Sequence, residues 1–214
     1  MNISVLGTGR MGQGLVNVLA PHYSGLVWAS RTPEKAEGIC RKRGWTGVMT
    51  SSYREALNAD IIFHSFWFRD LIPWAQKNEK RLAGRILVDI ANPFTEDFSD
   101  FTLDWGQSAA EELQKMLPHT AVVGAFKNTF FQVLEQPLHQ GEKSDIFVTG
   151  DDGEARRTVL NLLKPLPFRA WDSGNLENNR TIERMTLFER ELAIRYGNYP
   201  YVSYRLFGMD EYVI

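Results

Sequence analysis

Cysteine is almost missing from this chain, with one residue, Cys40, in 214. A single thiol excludes an internal disulfide framework and fits a reducing compartment. Cys40 falls in an expected surface helix and reads as a spectator rather than a nucleophile. The chain also lacks any apolar run near the ~20 residues that a bilayer span requires. Positive charge is not in excess: 24 Lys and Arg against 26 Asp and Glu give a formal charge of −2. No overall field therefore recruits nucleic acid or an anionic membrane. The histidines (His22, His64, His119, His139) are scattered without metal-ligand spacing, so no metal is expected. No basic segment and apolar h-region precede the first strand, which makes the cytoplasm the expected compartment. What remains, 43% hydrophobic and 23% charged residues, suits a compact enzyme of one domain, or one domain with an appendage.

The most informative residues come first. Asn2-Ile3-Ser4-Val5-Leu6 reads as a short apolar strand running into Gly7-Thr8-Gly9-Arg10-Met11-Gly12, and an amphipathic helical pattern (Leu15, Val16, Val18, Leu19) follows. Strand, G-x-G-x-x-G and helix in that order form a dinucleotide-binding fingerprint. Gly7 permits the tight turn, Gly9 lets the backbone approach a pyrophosphate, and Gly12 lets helix and strand pack closely. The free N–H groups of the helix N-terminus then face the phosphates. A glycine-rich turn without a ligand would not need this order.

The end of the second expected strand, Leu26–Arg31, chooses the dinucleotide. An NAD enzyme usually places Asp or Glu there, on the ribose 2′-hydroxyl. Here stand Ser30, Arg31, Thr32 and, a turn later, Lys35, with no acidic residue between Val27 and Thr32. A hydroxyl and a guanidinium suit a 2′-phosphate, so NADP(H) is the expected cofactor. Ser30 and Thr32 also suit the cap of a helix starting near Pro33, and both roles are compatible.

Strands and helices alternate along the rest of the chain, which predicts an α/β fold: a Rossmann-type doubly wound, mostly parallel sheet with a C-terminal helix and tail. Helices are expected over Pro33–Arg43, Asp70–Lys80, Trp105–Met116, Glu154–Leu163 and Leu176–Tyr196. Strands are expected near Thr46–Met49, Asp60–Ser65, Gly84–Ile90, Ala121–Phe126, Ser144–Thr149 and Phe168–Trp171. The connection Asn92–Asp104 is long and polar for a crossover, a pattern often tied to function. Residues 1–174 form the expected dinucleotide-binding domain, and residues 175–214 a helix and aromatic tail (Tyr199, Tyr201, Tyr204, Phe207, Tyr212) packed on it or on a partner.

Open α/β sheets bind ligands beyond the carboxyl ends of their strands. Those ends carry His64-Ser65-Phe66-Trp67, Ala91-Asn92-Pro93 and Gly124-Ala125-Phe126-Lys127-Asn128. Phe66, Trp67 and Phe126 offer flat apolar surface, and Asn92 and Asn128 offer amides for a carboxamide or flavin edge. Ser65 and Ala125 lie beside them. His64, Phe126 and Asn128 are the candidate catalytic residues, mainly for positioning. His64 is also a candidate proton donor, against the competing reading of a hydrogen-bonded structural histidine. No long helical domain follows the last strand to complete a substrate pocket, so the acceptor is expected on the open face of a single domain. A flat conjugated ring suits that face, because aligning two rings supplies most of the catalysis of hydride transfer.

The chain resembles the NADP-dependent oxidoreductases of coenzyme F420 and the cytosolic oxidoreductase domain of the six-transmembrane metalloreductases. The likeness rests on Val5–Gly12 with Ser30-Arg31, on Val122–Thr129, on Phe147-Val148-Thr149-Gly150-Asp151-Asp152 and on Asp172-Ser173-Gly174-Asn175-Leu176. It implies that Thr8, Arg10 and Met11 line the pyrophosphate turn, Ser30, Arg31 and Lys35 the 2′-phosphate, and Ala125 and its neighbours the nicotinamide. It also implies an acceptor that is a flavin (FMN or FAD) or a deazaflavin such as F420, with ferric reduction through flavin as an extension. Two departures stand out: Lys127 interrupts the A-F-N-T run of the membrane reductases, and the stretch around Asn92-Pro93 differs from the F420 enzymes. The competing function class is a redox-sensing module that holds NADP without turning it over. The expected last helix carries apolar residues at Ile182, Met185, Leu187, Phe188, Leu192 and Ile194, too broad a face for one monomer, so a homodimer is expected.

Overall fold

The computed structural model describes residues 1–209, so Tyr212 of the expected tail lies outside the described residues. Six short strands form one sheet: β1 (Ile3–Leu6), β2 (Val27–Ser30), β3 (Met49–Ser52), β4 (Ile61–His64), β5 (Ile86–Asp89) and β6 (Ala121–Gly124). Every pairing is parallel and the order is β3-β2-β1-β4-β5-β6. The chain starts in the middle, runs out to β3 and returns to β4 on the other side of β1. That reversal opens a crevice above the carboxyl ends of β1 and β4.

Alternate strand residues feed two apolar layers, as a sheet covered on both faces requires. Val5, Phe63, Val88 and Val123 join Leu15 and Leu19 of helix α1 (Arg10–Leu19). Leu6, Ile62, Leu87 and Val122 face the other way. They meet Leu71 and Ala75 of α4 (Phe68–Leu82) and Leu113 of α5 (Ala109–Met116). Helix α2 (Pro33–Arg43) has Pro33 at its start and ends at left-handed Gly44, both favoured positions for those residues. The four-residue α3 (Tyr53–Ala56) begins with a capping box between Ser52 and Glu55.

Beyond β6 come α6 (Phe131–Glu135), β7 (Leu138–His139), β8 (Glu142–Val148), α7 (Gly153–Leu163) and β9 (Phe168–Asp172). β8 pairs parallel with β9, β7 antiparallel with β8, and an antiparallel bridge joins Gly124 to Thr149. The Gly150-Asp151-Asp152 motif has a structural use here. Asp152 caps α7 by accepting from Glu154 N and Ala155 N, while Asp151 accepts from Leu176 N at 2.9 Å. A 3-10 turn, Leu176–Asn178, then leads into α8 (Asn179–Arg195).

Several boundaries differ from the sequence expectation. β3 begins at Met49, where Thr46–Met49 was expected to be the strand. Trp45 instead packs edge-on against Trp28 at 5.7 Å and holds residues 45–48 as a connection. α5 starts at Ala109 rather than Trp105, because Ser108 is its N-cap and accepts from Glu111 N at 3.2 Å. The buried face of α8 is mostly polar (Asn179, Glu183, Thr186, Glu189, with Ile182 and Ala193), and the expected apolar residues Phe188 and Ile194 point outward. Among the described residues no helix is long and apolar enough to cross a membrane.

Candidate functional site

The glycine turn crosses from β1 to α1 over the switch point. Gly7 has φ +105°, its N–H donates to Ala29 O, and its carbonyl accepts from Trp28 Nε1 at 2.8 Å. A Cβ on Gly7 would lie 2.3 Å from Ser65 Oγ, and one on Gly12 would lie 2.1 Å from Gly7 O. These two glycines are demanded by packing. Gly9 is different, because a Cβ there meets nothing within 4 Å. Gly9 is also the N-cap of α1, with no side-chain cap and no acidic residue in the first turn. Open space, orphan N–H groups and the positive end of a helix dipole together fit a pyrophosphate.

A cleft of about 820 Å³ extends from this turn along Thr8, Ser30, Arg31, Thr32 and Lys35. Arg31 and Lys35 are exposed and make no ion pair among the described residues. Ser30 is buried and its Oγ accepts from Thr32 N at 3.3 Å, so it shapes the turn as well as lining the cleft. Asp70 is the one carboxylate on this wall among the described residues. Tyr53 and Trp74 flank the same cleft, each edge-on to Phe66 at 5.3 and 4.9 Å. Reading strand ends missed both, because they arrive from α3 and α4.

A second cavity, about 200 Å³, shares Gly9, Ser65, Phe66 and Trp67 with the first, so the two form one continuous groove. Arg10 and Met11 face this inner part, and the Arg10 guanidinium stacks on Phe131 at 4.2 Å. Phe94, Phe98, Phe126 and Phe130 complete an aromatic wall, with Arg190 and Tyr199 at one side. Phe98 and Phe126 hold left-handed backbone at φ +61° and +55°. Such conformations are uncommon for bulky residues and cluster at functional sites. The 92–104 connection, expected to be polar, therefore contributes phenylalanines to the site. Among the described residues no carboxylate, histidine, cysteine or lysine lines this inner cavity.

Asn92 lies on the wall as expected. Its Nδ2 donates to Lys127 O at 2.8 Å, while its Oδ1 is buried without a partner among the described residues. A buried orphan acceptor beside a cavity calls for a donor from a ligand, and the amide of a nicotinamide carboxamide has that chemistry. Three expected residues stand elsewhere. His64 is fully buried, its Nε2 2.9 Å from Asp89 Oδ1 and its Nδ1 accepting from Phe66 N, and it lines neither part of the groove. Asn128 turns away from the groove and donates to Asp145 O at 2.9 Å. Ala125 is buried behind Phe126, its N–H paired with Asp89 O. All three sit at strand ends, but their side chains are taken up inside the fold: His64 by Asp89, Asn128 by the Asp145 carbonyl and Ala125 by the apolar core.

The same region hides a charged cluster that strand-end reading did not find. Lys127 Nζ contacts Asp89 Oδ2 at 2.5 Å and Glu183 Oε1 at 2.9 Å, all inside the core. Burial raises the Asp89 carboxyl, but Lys127 and His64 beside it outweigh burial and hold it well below the usual carboxylate range. Burial pushes Glu183 up despite Lys127, and its oxygens accept from Ala109 N and Ala110 N at the start of α5.

Residues 2–93 match the family described as "NADP oxidoreductase coenzyme F420-dependent". The chain is 32% identical over 213 residues to the F420-dependent NADP reductase of Methanocaldococcus jannaschii, covering 92% of this chain and 94% of that protein. It is 26% identical over 185 residues to metalloreductase STEAP3 of Rattus norvegicus, across 86% of this chain and 36% of that longer protein. A solved structure from Arthrobacter sp. FB24, described as an F420-dependent NADP reductase, superposes with a TM-score of 0.78 at 24% identity, covering 92% of this chain and 95% of that one. With the glycine turn, the basic 2′ end and the relative that spans nearly its whole length, the chain is an NADP-dependent oxidoreductase and belongs to the F420-dependent NADP reductase family.

Proposed function

We propose that this enzyme transfers hydride between NADP(H) and a planar flavin or deazaflavin ring, FMN, FAD or coenzyme F420, seated in the aromatic inner cavity. The observation that carries this reading is the cavity's composition: an aromatic wall continuous with the dinucleotide groove and, among the described residues, no carboxylate, histidine, cysteine or lysine lining it. NADPH supplies the hydride from its nicotinamide C4 when bound. The chain's own residues then bind and align. The turn at Gly9 holds the pyrophosphate, Arg31 and Lys35 the 2′-phosphate, Asn92 the carboxamide, and Phe126 one edge of the ring stack. Stacking within ~3–3.5 Å is the main catalytic device, and it needs no proton relay from the protein. Electrons passed from a reduced flavin to ferric iron would be a second step outside this cavity. We further propose that two copies pair through the outward face of α8.

NADPH deuterated at C4, assayed separately with F420, FMN, FAD and FMN plus a ferric chelate, tests the acceptor. The expected result is deuterium carried to a deazaflavin, or lost to solvent from a flavin N5. Turnover of a small carbonyl or imine, with none of the planar acceptors active, would overturn the proposal.

A further inference from the structure

Lys127 is buried, and its ammonium and its backbone carbonyl are each engaged by more than one partner. Its Nζ donates to Asp89 Oδ2, to Glu183 Oε1 and, at 2.5 Å, to the carbonyl of Ala91. Its own carbonyl accepts from Asn92 Nδ2 at 2.8 Å and from Thr186 Oγ1 at 2.6 Å. Ala91, Asn92 and Thr186 are all walls of the inner cavity, whereas the Lys127 side chain is not. One residue thus ties together the end of β5, the strand-six turn and α8. A buried ion pair seldom adds stability over apolar packing of the same volume, so its use is better sought in geometry.

We propose that Lys127 is a positioning residue for the nicotinamide, fixing the Ala91-Asn92 backbone with its ammonium and the Asn92 amide with its carbonyl, so that Asn92 Oδ1 stays turned to the carboxamide. This rests on the inner cavity being the nicotinamide site, as proposed above. The Asn92 amide could otherwise rotate and satisfy its Oδ1 elsewhere. Locked by Lys127 O, it presents an acceptor whose unmet hydrogen bond only the ligand completes.

Two ligands that differ only in nicotinamide test the assignment without any acceptor: NADP⁺ and 2′-phospho-ADP-ribose. Lys127→Met combined with Glu183→Gln removes the ammonium together with one of the two carboxyl groups that it contacts. Its affinity for NADP⁺ should fall about tenfold, the worth of one well-placed hydrogen bond, while 2′-phospho-ADP-ribose binds as before. Asn92→Ala should show the same selective loss, and combining it with the lysine pair should add little. A merely structural role would weaken both ligands alike, and that outcome overturns the proposal. Selective loss in Asn92→Ala with none in the lysine pair also overturns it, while leaving the site reading intact. If Asn92→Ala spares both ligands, the nicotinamide lies elsewhere and the site reading itself fails. Should the lysine pair fail to fold, Thr186→Val removes one of the two donors on Lys127 O. It should give a smaller selective loss of about two- to threefold, and unchanged binding of both ligands would then count against the proposal.

Discussion

Arg31 and Gly9 divide cofactor recognition between charge and space. The Arg31 guanidinium is exposed and unpaired by any carboxylate among the described residues, so a 2′-phosphate gives it a partner that NADH lacks. Arg31→Ala should lower NADPH affinity about tenfold and leave NADH little changed, since a charge-assisted bond is worth roughly 1.5–3 kcal/mol before solvent screening. Fluorescence titration with both dinucleotides checks it, and equal weakening of the two would sink the assignment. Gly9→Ala works by volume alone. Its methyl group meets nothing within 4 Å in the protein, so the variant should fold and melt like the parent. The same methyl occupies the place where the pyrophosphate approaches, and NADPH binding should drop sharply. Gly12→Ala, by contrast, would press on Gly7 O at 2.1 Å and should cost the fold itself, read as a lowered melting temperature. The sequence assigned these glycines their roles by position; the structure adds the space at each, crowded at Gly7 and Gly12 and open at Gly9.

At the level of elements, α8 carries the least ordinary chemistry. Glu189 faces the core with both carboxylate oxygens unpartnered, and burial pushes its carboxyl up to about 9. Between its ordinary value near 4.5 and that point, the folded chain keeps a proton that the unfolded chain releases. Stability must therefore fall as pH rises through this window, because the native state binds more protons there. Glu189→Gln has no proton to lose. It should melt close to the parent at the acid end and about 4 °C or more above it in mild alkali, since each kcal/mol moves a chain of this size by roughly 2–4 °C. Parallel melting curves across pH would show that Glu189 is not the titrating group. Little of this was visible in the sequence. Elements with strong periodicity were: α2 has the expected bounds, the glycine turn stands where the motif put it, and the groove lies beyond the carboxyl ends of strands 1, 2 and 4–6. The polar face of α8 was not, because Asn179, Glu183, Thr186 and Glu189 look like a solvated stripe until Lys127 is known to lie beneath it. Lys127, Asp89 and Glu183 are far apart in the chain, and no local pattern announces a buried ion cluster. The short α6 also escaped notice, since five residues carry too little periodicity to declare a helix.

For the whole molecule the open question is what covers the outside of α8. Phe188, Leu192 and Tyr196 follow one another at intervals of four and therefore form a single ridge along the helix. Phe188 is 58% exposed and Tyr196 73%, and Trp105 lies close to α8 through Arg184, which stacks on it at 4.2 Å. The ridge is flanked by the Glu191–Arg195 ion pair, an apolar centre with a charged margin of the kind that interfaces favour. The inward face of the same helix is already occupied by the Glu183–Lys127 cluster, so rotation cannot bury these residues within one copy. A second copy can, through a two-fold contact that places Phe188 against the partner's α8 ridge. Light scattering at micromolar concentration should therefore report twice the 24.5 kDa chain mass. Phe188→Glu should halve the observed mass while NADPH binding persists, because the phosphate turn and the basic 2′ end lie on other elements. A parent protein that is monomeric at that concentration would refute the pairing, and the exposed ridge would then need a different partner.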